Sequence, residues 1–220
     1  MKGNATKFRD RGDAGRQLAA ALGDFAADKP LVLALPRGGV PIAFEVAKAL
    51  RAPLDLFLVR KIGAPGHPEY GIGAVVDGEN PQLVLNEEAM AAVQFPPGYI
   101  EAEKRRQIAE IERLRQLYLG GRQTLPVADR TAIVVDDGIA TGGTAKVALG
   151  TLRKEGATRL ALAVPVAPED TLDQLGNLAD AIVCLSTPRP FHAVGLHYDD
   201  FDQVTDEDVI RLLRQAESWG

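Results

Sequence analysis

Short apolar runs recur along the chain between longer patterned segments. LVLAL at 31–35, PLDLFLV at 53–59, TAIVV at 131–135, TRLALAV at 158–164 and AIVCL at 181–185 are rich in Val, Ile and Leu. Runs of that length read as strands buried on both faces of a parallel sheet. Between them apolar residues return at helical spacing. Leu18, Ala21, Leu22 and Phe25 mark a helix within residues 8–28 with Asp13 as its expected cap, and VPIAFEVAKAL marks a second helix. Further helices are predicted from Lys146 to Lys154, from Pro168 to Leu178, and in the C-terminal FDQVTDEDVIRLLRQAE with Thr205 as cap. The repeated order of strand, loop, helix and strand predicts an α/β fold built on a doubly wound parallel sheet with right-handed crossovers.

Residues 62–125 depart from this rhythm. IGAPGHPEYGIG, residues 62–73, carries four Gly and two Pro and predicts a loop able to act as a lid. Residues 74–85 predict two short strands around Asp77-Gly78, followed by a short helix at 86–93. YIEAEKRRQIAEIERLRQLYL, residues 99–119, is the most regularly patterned helix: Ile100, Ile108, Ile111, Leu114 and Tyr118 share a face and charges fill the rest. That charged face is expected to be solvated, with a homodimer contact as the second reading. Residues 78–125 are expected as an insertion into a single domain spanning 1–220.

The chemistry concentrates where apolar runs end. TAIVV runs into Asp136 and Asp137, then into the small-residue loop Gly138-Ile139-Ala140-Thr141-Gly142-Gly143-Thr144 and a helix. Backbone N–H groups, the hydroxyls of Thr141 and Thr144 and the positive end of the helix dipole there converge on an anion. The loop lacks both the Lys of GxxxxGK[ST] and the spacing of GxGxxG. Two acids followed by a phosphate cradle suit a sugar phosphate, with carboxylates for adjacent hydroxyls and amides for the phosphate. A second strand–turn–helix unit places Pro36-Arg37-Gly38-Gly39 at another helix start. The run at 53–59 is expected to deliver Arg60 and Lys61 to the same edge of the sheet.

VVDDGIATGGT resembles the phosphoribosyl pyrophosphate (PRPP) binding motif of type I phosphoribosyltransferases, and its ATGGT half is most similar to the adenine-type members. The resemblance implies a type I phosphoribosyltransferase-like fold with a small hood, here expected at residues 186–220. It implies transfer of phosphoribose from PRPP to a nitrogenous base, with release of pyrophosphate and formation of a nucleotide. By resemblance, Asp136 and Asp137 meet the ribose hydroxyls and a Mg²⁺ ion, and Ala140, Thr141, Gly142, Gly143 and Thr144 hold the 5-phosphate. PRGG resembles the family's pyrophosphate loop, which assigns Arg37, Gly38 and Gly39 to pyrophosphate. The VRK pattern adds Arg60 and Lys61, with Lys61 as the catalytic candidate. Within the glycine-rich segment Glu69 is the candidate acid/base and His67 competes for that role. Phe191, Val194 and Tyr198 are candidates for base binding, with core packing as their other reading. Ala140 stands where hypoxanthine-guanine-type relatives carry an Asp, a departure from that branch.

The totals narrow the partners. With 46% hydrophobic residues, 220 residues can bury a real core, and 25 basic against 30 acidic residues argue against nucleic acid as a general partner. A single Cys184 provides neither a disulfide nor a zinc set. No apolar segment resembles a signal peptide or approaches the roughly 18 residues of a membrane span, so the expected location is cytoplasmic. The other class of function compatible with the same cradle is a non-catalytic PRPP-binding regulator acting on RNA or protein.

Overall fold

The computed structural model describes residues 7–78 and 81–217, with the side chains of Pro68 and Glu69 left aside. The chain divides into two compact units, one made of residues 1–56 and 125–220 and the other of 57–124.

The first unit is built on five parallel strands, β1 (Leu31–Ala34), β2 (Leu54–Leu56), β6 (Thr131–Val135), β7 (Arg159–Val166) and β8 (Ala181–Ser186), in the order β2-β1-β6-β7-β8. Every residue of β1 and β6 is buried, as expected of β-branched and apolar runs covered on both faces. Five helices accompany the sheet: α1 (Arg11–Ala21), α2 (Gly39–Leu50), α5 (Gly143–Lys154), α6 (Glu169–Leu175) and α7 (Asp206–Ala216). The central strands β1 and β6 pair in parallel from Leu31↔Ala132 to Ala34↔Val135. From β1 the chain crosses to β2 on one side, and on its return enters β6 on the other. That reversal opens a crevice at the carboxyl ends of β1 and β6, which is where open α/β sheets bind ligands.

The helix caps follow the sequence, with one correction. Asp10, rather than Asp13, caps α1: its carboxylate accepts the Asp13 N–H at 2.7 Å, and Asp13 sits in the first turn. Thr205 caps α7 in a full capping box with Asp208.

The second unit is a three-stranded antiparallel sheet, β3 (Val59–Ala64), β4 (His67–Val76) and β5 (Gln82–Leu85), with α3 (Glu87–Ala91) and α4 (Tyr99–Leu119). Here two expectations are corrected. The run at 53–59 is not one strand: the parallel strand ends at Leu56, Phe57 and Leu58 are buried outside any strand, and Arg60 and Lys61 belong to β3 of the separate sheet. The glycine-rich stretch 62–73 is a hairpin turning at Pro65-Gly66, not an open loop. Gly66 serves the turn, with a φ of 72°, and Gly73 serves close approach. A Cβ at Gly73 would stand 2.5 Å from the Val84 carbonyl oxygen of the neighbouring strand. α4 buries Gln107, Ile111, Leu114, Tyr118 and Leu119, while Glu103–Arg106 and Glu110–Arg113 pair one turn apart on its outer side.

Candidate functional site

β1 ends at Ala34, and the turn Pro36-Arg37-Gly38 leads directly into α2. The Leu35 N–H donates to the Val135 carbonyl at 2.9 Å, which locks this turn to the end of β6. Both glycines are there because the two loops touch. An added Cβ would lie 2.0 Å from Asp137 Oδ2 at Gly38 and 2.6 Å from the Val135 carbonyl oxygen at Gly39. The Gly39 N–H already donates to Leu35 O at 3.1 Å, which leaves it less suited to an anion than the sequence suggested. Arg37 is exposed and lies 3.5 Å from Asp206 at the start of α7.

The loop after β6 is held from three sides. The Asp136 Oδ1 accepts the Asp137 N–H at 2.9 Å, the Ile139 N–H donates to Val166 O at 2.9 Å, and the Thr171 hydroxyl donates to Ala140 O at 3.0 Å. Gly142 takes a left-handed φ of 73° as the cap of α5, a conformation glycine adopts at little cost. Gly143 and Thr144 open the helix, so their N–H groups have no intrahelical acceptor. Around Gly143 nothing would meet an added Cβ within 4 Å. An open helix start of this kind suits an anion, because its free N–H groups and the helix dipole point the same way.

Asp137 is largely enclosed, its side chain 16% exposed, and is tied to α1. The Arg11 Nε and Nη2 lie 2.9 Å and 2.8 Å from its Oδ2. Burial pushes the Asp137 carboxyl above the ordinary carboxylate range, against the pull of the Arg11 guanidinium. Nothing in the sequence singles out Arg11. It lies in the charged run RDRGD at a helix start, where charges are ordinarily solvated, and its partner is 126 positions away.

The base-binding candidates divide. Phe191 lines a cleft of about 620 Å³ together with Ala140, Thr141, Glu169, Thr171 and Arg189, and stacks on His197 at 5.6 Å. Val194 packs against Gly138 of the same loop. Tyr198 is only 3% exposed: it sits between Phe8 and Phe201 and donates its hydroxyl to the Asp137 carbonyl at 2.6 Å, the core packing that was its other reading. Burial and the nearby Asp137 charge push the Tyr198 phenol above its ordinary range.

Thus Arg37, Gly38, Gly39, Asp136, Asp137, residues 140–144, Phe191 and Val194 belong to the first unit, gathered on the carboxyl side of its sheet. Arg60, Lys61 and Glu69 belong to the second. Arg60 Nε donates to Gln107 of α4 at 3.3 Å, Lys61 is exposed on β3, and Glu69 lies in β4 with its side chain outside the described residues. His67, the competing candidate, opens β4 and is exposed. Among the described residues no three His, Cys, Asp or Glu groups come together as a metal cage.

The family model of the phosphoribosyl transferase domain matches residues 11–199, from Arg11 to Asp199. The chain belongs to the phosphoribosyl transferase family. Two Mycobacterium tuberculosis proteins provisionally named phosphoribosyl transferases, MT0597 and Rv0571c, are each 46% identical over 209 residues; these cover 95% of this chain and 47% of theirs. The chain thus spans about half the length of these curated relatives. Among solved structures, TT1426 from Thermus thermophilus is similar at 42% identity and a TM-score of 0.79, over 96% of this chain and 99% of that one. No helix among the described residues is long and apolar enough to cross a membrane.

Proposed function

We propose that this phosphoribosyl transferase domain transfers phosphoribose from PRPP to a nitrogenous base and releases pyrophosphate. The observation that carries the reading is the pairing of two helix starts at one crevice: DDGIATGGT after β6 and PRGG after the adjacent β1. In this reading the amides of residues 142–144 and the hydroxyls of Thr141 and Thr144 bind the 5-phosphate. Asp136 and Asp137 receive the ribose hydroxyls, and Arg37 with the Gly38 turn faces the diphosphate. The acceptor enters the cleft beside Ala140, against Phe191 and Val194.

The reaction forms a bond from a base ring nitrogen to C1 of the ribose and breaks the C1–O bond to pyrophosphate, which leaves with the electron pair. A ring N–H gives up its proton in the course of transfer, and Glu69 is the proposed acceptor. Arg60 and Lys61 are proposed as diphosphate partners on the resemblance of the VRK pattern. Mg²⁺ fits the donor set: it keeps waters and substrate phosphate oxygens and needs only one or two carboxylates, here Asp136 and Asp137. Bound with PRPP, it would offset charge on the leaving diphosphate. The protein's part is electrostatic, since preorganised donors aimed at developing charge are worth more in a shielded crevice than in water.

The test is pyrophosphate release from PRPP and Mg²⁺ against a panel of purine and pyrimidine bases, with products read by mass. A nucleotide formed from one base is the expected result and names the acceptor. PRPP binding without product from any base would replace the transferase with a PRPP-binding protein. A chain that does not bind PRPP would remove the site assignment altogether.

A further inference from the structure

We infer that Arg11 is a positioning residue of this site: it holds Asp137 by Oδ2, so that Oδ1 and the following turn keep the geometry a ribose requires. The inference rests on the proposed PRPP reading. Arg11 is the first residue of α1 and its side chain is only 11% exposed. Each of its three nitrogens has a protein acceptor: Nε and Nη2 share Asp137 Oδ2, and Nη1 donates to the Asp202 carbonyl at 2.8 Å. Its guanidinium also lies 3.8 Å from the centre of the Phe201 ring. An arginine so committed does not reach a ligand; it acts through the carboxylate it holds.

The arrangement joins three segments far apart in sequence. Arg11 ties the start of α1 to the motif, and the Asp202 carbonyl and Phe201 ring tie it to the C-terminal segment, from which Tyr198 donates to the Asp137 carbonyl. On its far side Oδ2 of Asp137 presses on Gly38, where there is no room for a Cβ. The groups facing Asp137 are therefore Arg11 from α1, Asp136 from its own strand end, the Tyr198 phenol, and the backbone of Gly38. A carboxylate pinned on one oxygen can offer the other in a single orientation. One that is released must find that orientation again at each binding event.

The test compares native protein with Arg11→Gln and Arg11→Lys. PRPP binding with Mg²⁺ is measured by calorimetry, and thermal denaturation of the unliganded chain is followed beside it. Arg11→Gln is expected to weaken PRPP binding by about tenfold or more, because it leaves a buried carboxylate without its partner. Arg11→Lys keeps the charge without the planar fork, and is expected to recover stability more fully than affinity. If Arg11→Gln does not fold, Arg11→Lys decides: native affinity in that variant overturns the positioning role. With PRPP bound by the native chain, a folded Arg11→Gln with unchanged affinity sinks the inference alone. If the native chain does not bind PRPP, the proposed function falls and the role of Arg11 toward ribose falls with it.

Discussion

At Gly38 an added Cβ would stand 2.0 Å from the Asp137 carboxylate, whereas at Gly143 it would meet nothing within 4 Å. The same missing side chain answers two different demands. Gly38 has an ordinary helical φ of -59°, so its requirement is space alone. Gly38→Ala forces Asp137 off Arg11 or the turn off β6, and is expected to cost about 1–3 kcal/mol of stability, the usual range for overpacking. Gly143→Ala sits at an unobstructed helix start. It should raise stability by about 0.4–1 kcal/mol by stiffening the unfolded chain, yet weaken PRPP binding by setting a methyl group where a phosphate approaches the backbone. Thermal denaturation and calorimetry on the two variants separate the demands. Undiminished PRPP affinity in Gly143→Ala would move the phosphate away from this helix start. The sequence showed both glycines but not the distinction between them, because what a Cβ would meet depends on the other loop, about a hundred positions along the chain.

α4 is held to its own unit by a buried ion pair. Arg115 on the helix bonds Asp77 at the end of β4, with side chains 13% and 2% exposed. Asp77 also accepts the Gly78 N–H at 2.9 Å, yet Asp77 Oδ2 and Arg115 Nε have no partner. A buried pair with orphaned atoms is incompletely compensated, so breaking it and replacing it have different consequences. Asp77→Ala alone leaves Arg115 paired only with the half-exposed Glu112, 2.6 Å from its Nη1, and is expected to cost about 1–3 kcal/mol, while Asp77→Ala with Arg115→Leu recovers most of that loss. Urea denaturation of the single and double variants checks this. A double variant as unstable as the single would show that the pair itself is needed for the helix to dock.

The elements of this unit were also the hardest to read from sequence. Periodicity identified α4, and Asp77-Gly78 marked the β4–β5 turn, but Gly and Pro in 62–73 mimicked a loop. In fact Gly73 admits the neighbouring backbone, and Pro65-Gly66 forms the turn. An unbroken apolar run likewise hid the end of β2 at Leu56, since Phe57 and Leu58 are buried without being strand.

Across the whole chain, the parallel sheet and the turn from β6 into α5 were legible because they depend on contiguous residues: β-branched runs, caps, and a strand–loop–helix sequence. What was not legible is long-range pairing, Arg11 with Asp137 and Tyr198 with the motif backbone, which only the folded topology brings together. Burial in the folded chain also governs the response to pH. It pushes the Tyr198 phenol and the Cys184 thiol above their ordinary pKa ranges, which holds both in the protonated form to higher pH. In that direction the folded chain keeps protons that the unfolded chain releases, so the stability from these groups is complete below their ordinary values, about 8.5 for Cys and 10 for Tyr. Above those values it is lost progressively. Stability should therefore fall as pH rises beyond about 9 and more steeply beyond about 10. Tyr198→Phe should flatten the second part of that fall, while lowering stability near neutrality by about 1 kcal/mol through loss of the hydrogen bond to Asp137. Denaturation of native protein and Tyr198→Phe from pH 7 to 11 measures both effects. An equally steep loss in the variant would trace the alkaline response to other groups.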